Sequence, residues 1–140
     1  MVDRSYRTLL LGIILIGILG LQAELLLLDH ADSFTQWIPH FTLLVGLLSV
    51  ALVFFKPTAL TIKFFRAVMA AFMAIGVLGL YLHYSGNVEF ALERSPDLSG
   101  FALIWKALHG ATPALAPGAL AQLGLLGLLY TYRYPSGHVD

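Results

Sequence analysis

The sequence contains no cysteine and few charged residues. Charged side chains make up 11% of its 140 residues, whereas soluble domains average about 25%. The absence of cysteine excludes disulfides, thiolate metal sites, iron–sulfur clusters and cysteine nucleophiles. The formal net charge is zero, so the basic surplus that nucleic-acid binding requires is missing. With 59% hydrophobic residues and a mean hydropathy of +0.83, the composition indicates a small membrane protein.

Four apolar segments are each expected to cross a bilayer, because about 20 helical residues span its hydrocarbon core. They cover residues 9–28, 38–55, 64–84 and 113–132. Ser85-Gly86-Asn87 is expected to end the third span, since glycine suits the residue that closes a helix and Asn87 can cap a new one. The fourth span starts at Pro113 or at Pro117, and a helix from Pro117 would be marginal in length.

A shorter amphipathic segment is predicted between the third and fourth spans, at about residues 98–109. Its large apolar residues recur at the spacing of one helix face: Phe101, Ile104, Trp105 and Leu108. A helix of this length cannot cross, so it is expected to lie along the interface or to re-enter partway. The sequence therefore predicts an all-α integral membrane protein, a four-transmembrane-helix bundle in one domain (residues 1–140), with a short amphipathic interfacial helix between helices 3 and 4.

Charge segregation predicts the orientation of the bundle. Six of the eight basic residues fall on one side of a four-span model: Arg4, Arg7, Lys56, Lys63, Arg66 and Arg133. The acidic residues of the loops fall on the other side: Asp29, Asp32, Glu89, Glu93 and Asp97. Because positive charge marks the cytoplasmic side, both termini are expected in the cytoplasm and the chain in the plasma (inner) membrane.

Small residues recur along three of the predicted spans at near-helical spacing. They are Gly12, Gly17 and Gly20, then Ala67, Ala70, Ala71 and Ala74, then Gly118, Gly124 and Gly127. Such residues let helices approach closely in lipid. Packing between the helices of a compact bundle accounts for most of these residues. A stripe that this packing does not use is expected to serve self-association or contact with other membrane subunits. The lipid bilayer is the expected surrounding, and no nucleic-acid partner is expected.

Histidine is concentrated at the predicted outward side. His30, His40, His83 and His109 fall there, and His138 alone falls on the other side. Together with nearby carboxylates they form a nitrogen and oxygen donor set suited to zinc, copper(II), manganese or non-haem iron. The residues predicted to bind the metal are Glu24, His40, His83, Glu89, Glu93 and His109. Hydrogen bonding to headgroups, water or carbonyls is the simpler interpretation of any single histidine.

The predicted metal site depends on a particular arrangement of the chain. Glu24, His40 and His83 are expected at one depth, and a helix restarting at Asn87 would fold Glu89 back over them. Two alternatives stay open: an accessory or scaffold subunit of a larger membrane complex without a ligand of its own, and a haem b subunit with His40 and His83 as axial ligands. The sequence has no phosphate loop, hydrolase serine elbow or zinc-protease helix motif, so it identifies no particular reaction and leaves open whether the protein is an enzyme.

Overall fold

Five α-helices follow one another along residues 4–134, the part of the chain that this computed structural model describes. They are α1 (Arg4–Leu27), α2 (Phe34–Phe55), α3 (Ala59–Arg94), α4 (Gly100–Leu108) and α5 (Gly118–Tyr130), and no strand occurs within those residues. Three of the helices, α1, α2 and α3, are long and apolar enough to cross a membrane. The all-helical class that the sequence predicts is confirmed.

Polar residues set the starts of the second and third helices. The side chain of Gln36 accepts a hydrogen bond from the backbone N–H of Ser33 (3.2 Å), the residue that precedes α2. At the start of α3, Thr58 and Thr61 bond each other's backbone N–H groups through their hydroxyls, at 2.8 and 3.2 Å. These reciprocal bonds satisfy N–H groups that have no partner inside the helix.

The third helix does not end where the sequence analysis placed its end. It continues through Ser85, Gly86 and Asn87 as far as Arg94, for 36 residues in all, or about 54 Å. The hydroxyl of Ser85 bonds the Leu82 carbonyl inside the helix, and the Asn87 side chain bonds another segment instead of capping a helix. Helix α2 has only 22 residues, so α3 is longer than α2 by about 20 Å. The short helix α4 packs against α3.

The last helix starts at the later of the two expected positions. Residues 114–117 form turns, and α5 begins at Gly118 and ends at Tyr130, so it has 13 residues instead of the 20 expected for 113–132. It packs antiparallel along α3, where Gly76 lies close to Ala121, and Gly124 close to Met69. The α3–α5 contact is the most extensive in the described bundle.

Two arginines hold the end of α5 and bring the two described ends of the chain together. The buried guanidinium of Arg7 in α1 donates to the carbonyls of Tyr130, Tyr132 and Arg133. Arg66 in α3 donates to the Thr131 carbonyl at 2.7 Å. Positive charge at a helix C-terminus is favourable for the helix dipole. The start of α1 and the end of α5 therefore lie at the same end of the bundle.

The core is apolar, and much of the outside is apolar too. Side chains with almost no exposure line the centre: Ile14, Ile18, Leu43, Val53, Phe65, Met69 and Phe72. Large apolar side chains remain exposed along α1, α2 and α3, as expected for a surface that faces lipid. In α4 the residue buried against α3 is Ala107, whereas the predicted apolar stripe is exposed, with Phe101 at 76% and Trp105 at 57%.

Candidate functional site

One buried histidine links the first two helices near the end opposite Arg7. His40 in α2 is 3% exposed. Its Nε2 lies 3.0 Å from the backbone carbonyl oxygen of His30, and its Nδ1 lies 2.7 Å from Nε2 of Gln22 in α1. A carbonyl oxygen only accepts hydrogen bonds, so Nε2 of His40 carries the hydrogen, and Nδ1 accepts from the Gln22 amide. The ring also lies against Trp37, with 5.2 Å between the ring centroids.

The carbonyl that His40 bonds belongs to a second histidine, in the turn between α1 and α2. The backbone N–H of His30 donates to the Leu25 carbonyl at 3.0 Å, so both backbone polar groups of His30 are held. Its half-buried ring lies 6.3 Å from the ring of His83, centroid to centroid. Burial lowers the pKa of the His30 imidazole, and nearby His83 and His40 lower it further, against the opposing effect of Asp32. The neutral form of His30 is therefore favoured.

His83 is held by the turn that precedes α5. Its Nδ1 lies 3.1 Å from the Pro113 carbonyl oxygen and therefore donates to it. In the neutral ring, Nε2 then carries a lone pair. Among residues 4–134, neither Nε2 of His83 nor either ring nitrogen of His30 has a hydrogen-bond partner. Both rings thus have nitrogen available for a ligand.

We refer to His30, His40 and His83 together as the histidine cluster. They come from the α1–α2 turn, from α2 and from α3, and meet at one end of the bundle. Two of the three rings donate one N–H to a backbone carbonyl, which fixes the orientation of the ring. Histidines that bind metals are commonly oriented in this way. The cluster can therefore present imidazole nitrogen to a metal ion or to a proton donor.

The other residues predicted for the metal site lie apart from such an arrangement. Glu24, Glu89 and Glu93 are exposed. Because α3 runs on without a break, Glu89 lies about 9 Å farther along the helix axis than His83, and it does not fold back over the histidines. His109 is exposed, and its Nδ1 bonds the Trp105 carbonyl at 3.0 Å. Within the described residues, no group of three or more His, Asp or Glu side chains is arranged to hold a metal ion.

Two polar residues of the site were not expected from the sequence. His30 falls in a turn, and the sequence analysis counted it only among the outward histidines. Gln22 was noted only as a polar residue in the first span. Its spacing from His40 in sequence gives no sign of contact, because the contact depends on how α1 packs against α2. A lone amide in an otherwise apolar span is the one signal that could have identified Gln22, since such groups usually bond inside a bundle.

A third polar residue, Asn87, fixes the chain above the histidine cluster. Its side-chain amide donates to the carbonyls of Ala107 (2.9 Å) and Thr112 (2.8 Å). Its Oδ1 accepts from the backbone N–H of Thr112 (3.2 Å) and from the Thr112 hydroxyl (2.8 Å). A Cβ on Gly110 would lie 2.5 Å from this same Oδ1. Asn87 thereby positions the turn whose Pro113 carbonyl holds His83.

Comparison of the chain with protein-family models, with curated proteins and with solved structures found no match.

Proposed function

We propose that the protein is a four-pass membrane protein of the plasma (inner) membrane, with both termini in the cytoplasm, and that its outward end binds a divalent transition-metal ion. Three long apolar helices and the position of α5 along α3 support four passes. The residues next to α5 at 113–117 and 131–134 add the length that its 13 helical residues lack. The short α4 is then the interfacial helix, with its exposed Trp105 at headgroup level.

The observation that carries the metal proposal is the pair formed by His30 and His83. Their ring centroids lie 6.3 Å apart, so an ion between the rings can reach a nitrogen of each, given metal–nitrogen bonds of about 2.0–2.1 Å. Both rings have a free nitrogen among the described residues. His30 and His83 are therefore the proposed protein ligands, and water would complete the coordination.

The chemistry of the donors narrows the choice of metal. Imidazole nitrogen suits zinc and copper(II), and affinity in a given site is highest for copper(II). Manganese prefers carboxylate and carbonyl oxygen, and Glu24, Glu89 and Glu93 are not grouped with the histidine pair.

We assign His40 a supporting role, because Gln22 occupies its Nδ1 and the His30 carbonyl occupies its Nε2. That occupancy also disfavours the haem alternative, which needs a nitrogen of His40 for iron.

Titration of the purified protein with metal tests the proposal. The protein is prepared without a histidine tag, and zinc and copper(II) binding are measured by isothermal titration calorimetry. We expect one ion per chain, and a loss of affinity of about tenfold or more for each of His30→Ala and His83→Ala, since each removes a ligand. Bound metal should also raise the melting temperature, because it binds the folded state.

His109→Ala is the matched control for His83→Ala. Each histidine donates one bond from Nδ1 to a backbone carbonyl, at 3.0 and 3.1 Å, but His109 lies outside the histidine cluster and should leave the affinity unchanged. If the wild-type protein binds no ion, and its melting temperature responds to neither divalent ions nor a chelator, the metal proposal is wrong. The accessory role in a larger complex then stands, favoured by the exposed apolar stripe of α4.

A further inference from the structure

Gln22 in α1 presents an unsatisfied polar atom inside the bundle. Its Nε2 donates to Nδ1 of His40 at 2.7 Å, but its Oε1 is buried and has no hydrogen-bond partner among the described residues. A buried acceptor without a partner lowers stability. A leucine at this position would remove the unsatisfied Oε1, but it would leave Nδ1 of the buried His40 without a donor. The glutamine therefore matters through the bond that it donates to His40.

The donor group of the amide matches the tautomer that His40 must adopt to donate to the His30 carbonyl. Because Gln22 offers an N–H to Nδ1, that nitrogen must hold a lone pair, and the hydrogen must be on Nε2. In this tautomer Nε2 donates to the His30 carbonyl at 3.0 Å. With the hydrogen on Nδ1 instead, two lone pairs would face each other, and the bond to His30 would be lost.

We propose that Gln22 is a positioning residue: its bond to Nδ1 fixes the ring of His40 where Nε2 reaches the His30 carbonyl, and so fixes the turn that places the ring of His30 opposite that of His83. The functional consequence of this inference rests on the proposed metal site, because the placement of the His30 ring is what allows His30 and His83 to bind one ion together. Removing a residue that hydrogen-bonds and orients a metal ligand typically lowers the metal affinity by about 10- to 100-fold. Gln22 bonds neither proposed ligand directly; it acts through His40 and the backbone of the turn between α1 and α2.

Two substitutions at Gln22 separate positioning from packing. Gln22→Leu keeps the volume and removes the donor. We expect it to weaken zinc binding by about tenfold and to lower the melting temperature of the metal-free protein, because Nδ1 of the buried His40 is left without a donor. Gln22→Glu keeps a hydrogen-bonding group of the same shape beside Nδ1, and Nε2 keeps its bond to the His30 carbonyl. Because the bond to His30 survives, we expect affinity within about threefold of wild type.

Nitrogen-15 NMR of the histidine rings gives a readout that does not depend on metal. His40 should show the Nε2–H tautomer in the wild type and in Gln22→Leu, because the His30 carbonyl accepts from Nε2 in both, and the signal of Nδ1 should shift in Gln22→Leu because its donor is lost. The ring signals of His30 should shift in Gln22→Leu and stay close to wild type in Gln22→Glu. His109, which lies outside the histidine cluster, serves as the internal control and should not change.

The outcomes distinguish this inference from the proposed function. If Gln22→Leu leaves the His30 ring signals and the zinc affinity at wild-type values, Gln22 positions nothing and the inference is wrong, while the metal site can still stand. If the wild-type protein binds no metal, the proposed function fails. The His30 ring signals then decide by themselves whether Gln22 fixes this end of the bundle.

Discussion

Asn87 has no neighbour in sequence that explains its burial, yet its amide bonds a segment 20 to 25 residues away. Both of its donors and its acceptor are used on Ala107 and Thr112. A buried side-chain amide stabilises the fold only if each of its donors and acceptors has a hydrogen-bond partner. The sequence predicted that Asn87 caps a helix, which is the common local role of asparagine. That prediction is wrong, because the side chain bonds Ala107 and Thr112 instead.

At the scale of the residue we predict that Asn87→Ala lowers the free energy of unfolding by about 2–4 kcal/mol. The substitution leaves the carbonyls of Ala107 and Thr112 without donors, and a buried unsatisfied group costs about 1–3 kcal/mol. Denaturant unfolding of the purified protein in detergent measures the effect.

The neighbouring Gly86 provides the control for that experiment. It lies exposed in the same helix, and an added Cβ would meet nothing within 4 Å. Gly86→Ala should be neutral or stabilise by about 0.5–1 kcal/mol, because alanine favours the helix. Equal effects of Asn87→Ala and Gly86→Ala would show that the buried amide contributes nothing to stability.

Among the helices, α3 and α5 pack with their backbones close together. A Cβ on Gly124 would lie 2.5 Å from the Met69 carbonyl oxygen, and one on Gly76 would lie 2.5 Å from the backbone nitrogen of Ala121. In lipid, where apolar side chains gain little by leaving the solvent, such close packing holds helices together. Some of the predicted glycine stripe in the last span is therefore used inside the chain and is not free for a partner.

At the scale of the element we predict that Gly124→Ala destabilises the protein by about 1–3 kcal/mol, the usual cost of overpacking. The methyl group would press on backbone atoms of α3, which cannot rotate away. Gly20→Ala in α1 is the comparison, because open space surrounds that position. Thermal unfolding of both variants in the same detergent should show a lower melting temperature for Gly124→Ala only, and a similar loss for Gly20→Ala would contradict the close-packing argument.

Viewed as a whole molecule, the bundle places its described ends together. Arg7 of α1 bonds the carbonyls of Tyr132 and Arg133 after α5, at 2.9 and 3.1 Å. An even number of crossings follows if α5 crosses the membrane with α1, α2 and α3. Lys56 in the connection between α2 and α3, and Lys63 and Arg66 near the start of α3, lie at this same end, which the charge rule predicts to be cytoplasmic.

This arrangement predicts the result of a topology experiment. Reporter fusions after Lys56 and after Tyr134 should both report the cytoplasm, and a fusion after Asp97 should report the outside. Alkaline phosphatase and a fluorescent protein give opposite signals on the two sides, so each position is measured twice. An outside signal from the Tyr134 fusion would mean that α5 does not cross, and the histidine cluster would need a new assignment of sides.

The sequence by itself determined the helical class, the apolar helices and the presence of polar residues at one end. These features follow from composition and from periodicity within single segments, which act over a few residues. The approximate limits of α2 and the existence of α4 could be predicted for the same reason. Local capping signals also predicted an end at Gly86, where the structure has none.

Tertiary structure decided which polar residues meet. His30 lies against His83, Gln22 bonds His40 and Asn87 bonds Thr112, and each pair joins segments that are distant in sequence. The physical reason is that a buried amide or imidazole gains stability only from a partner of the right kind within hydrogen-bond distance. Helix packing sets those distances, and no window of the sequence contains both partners.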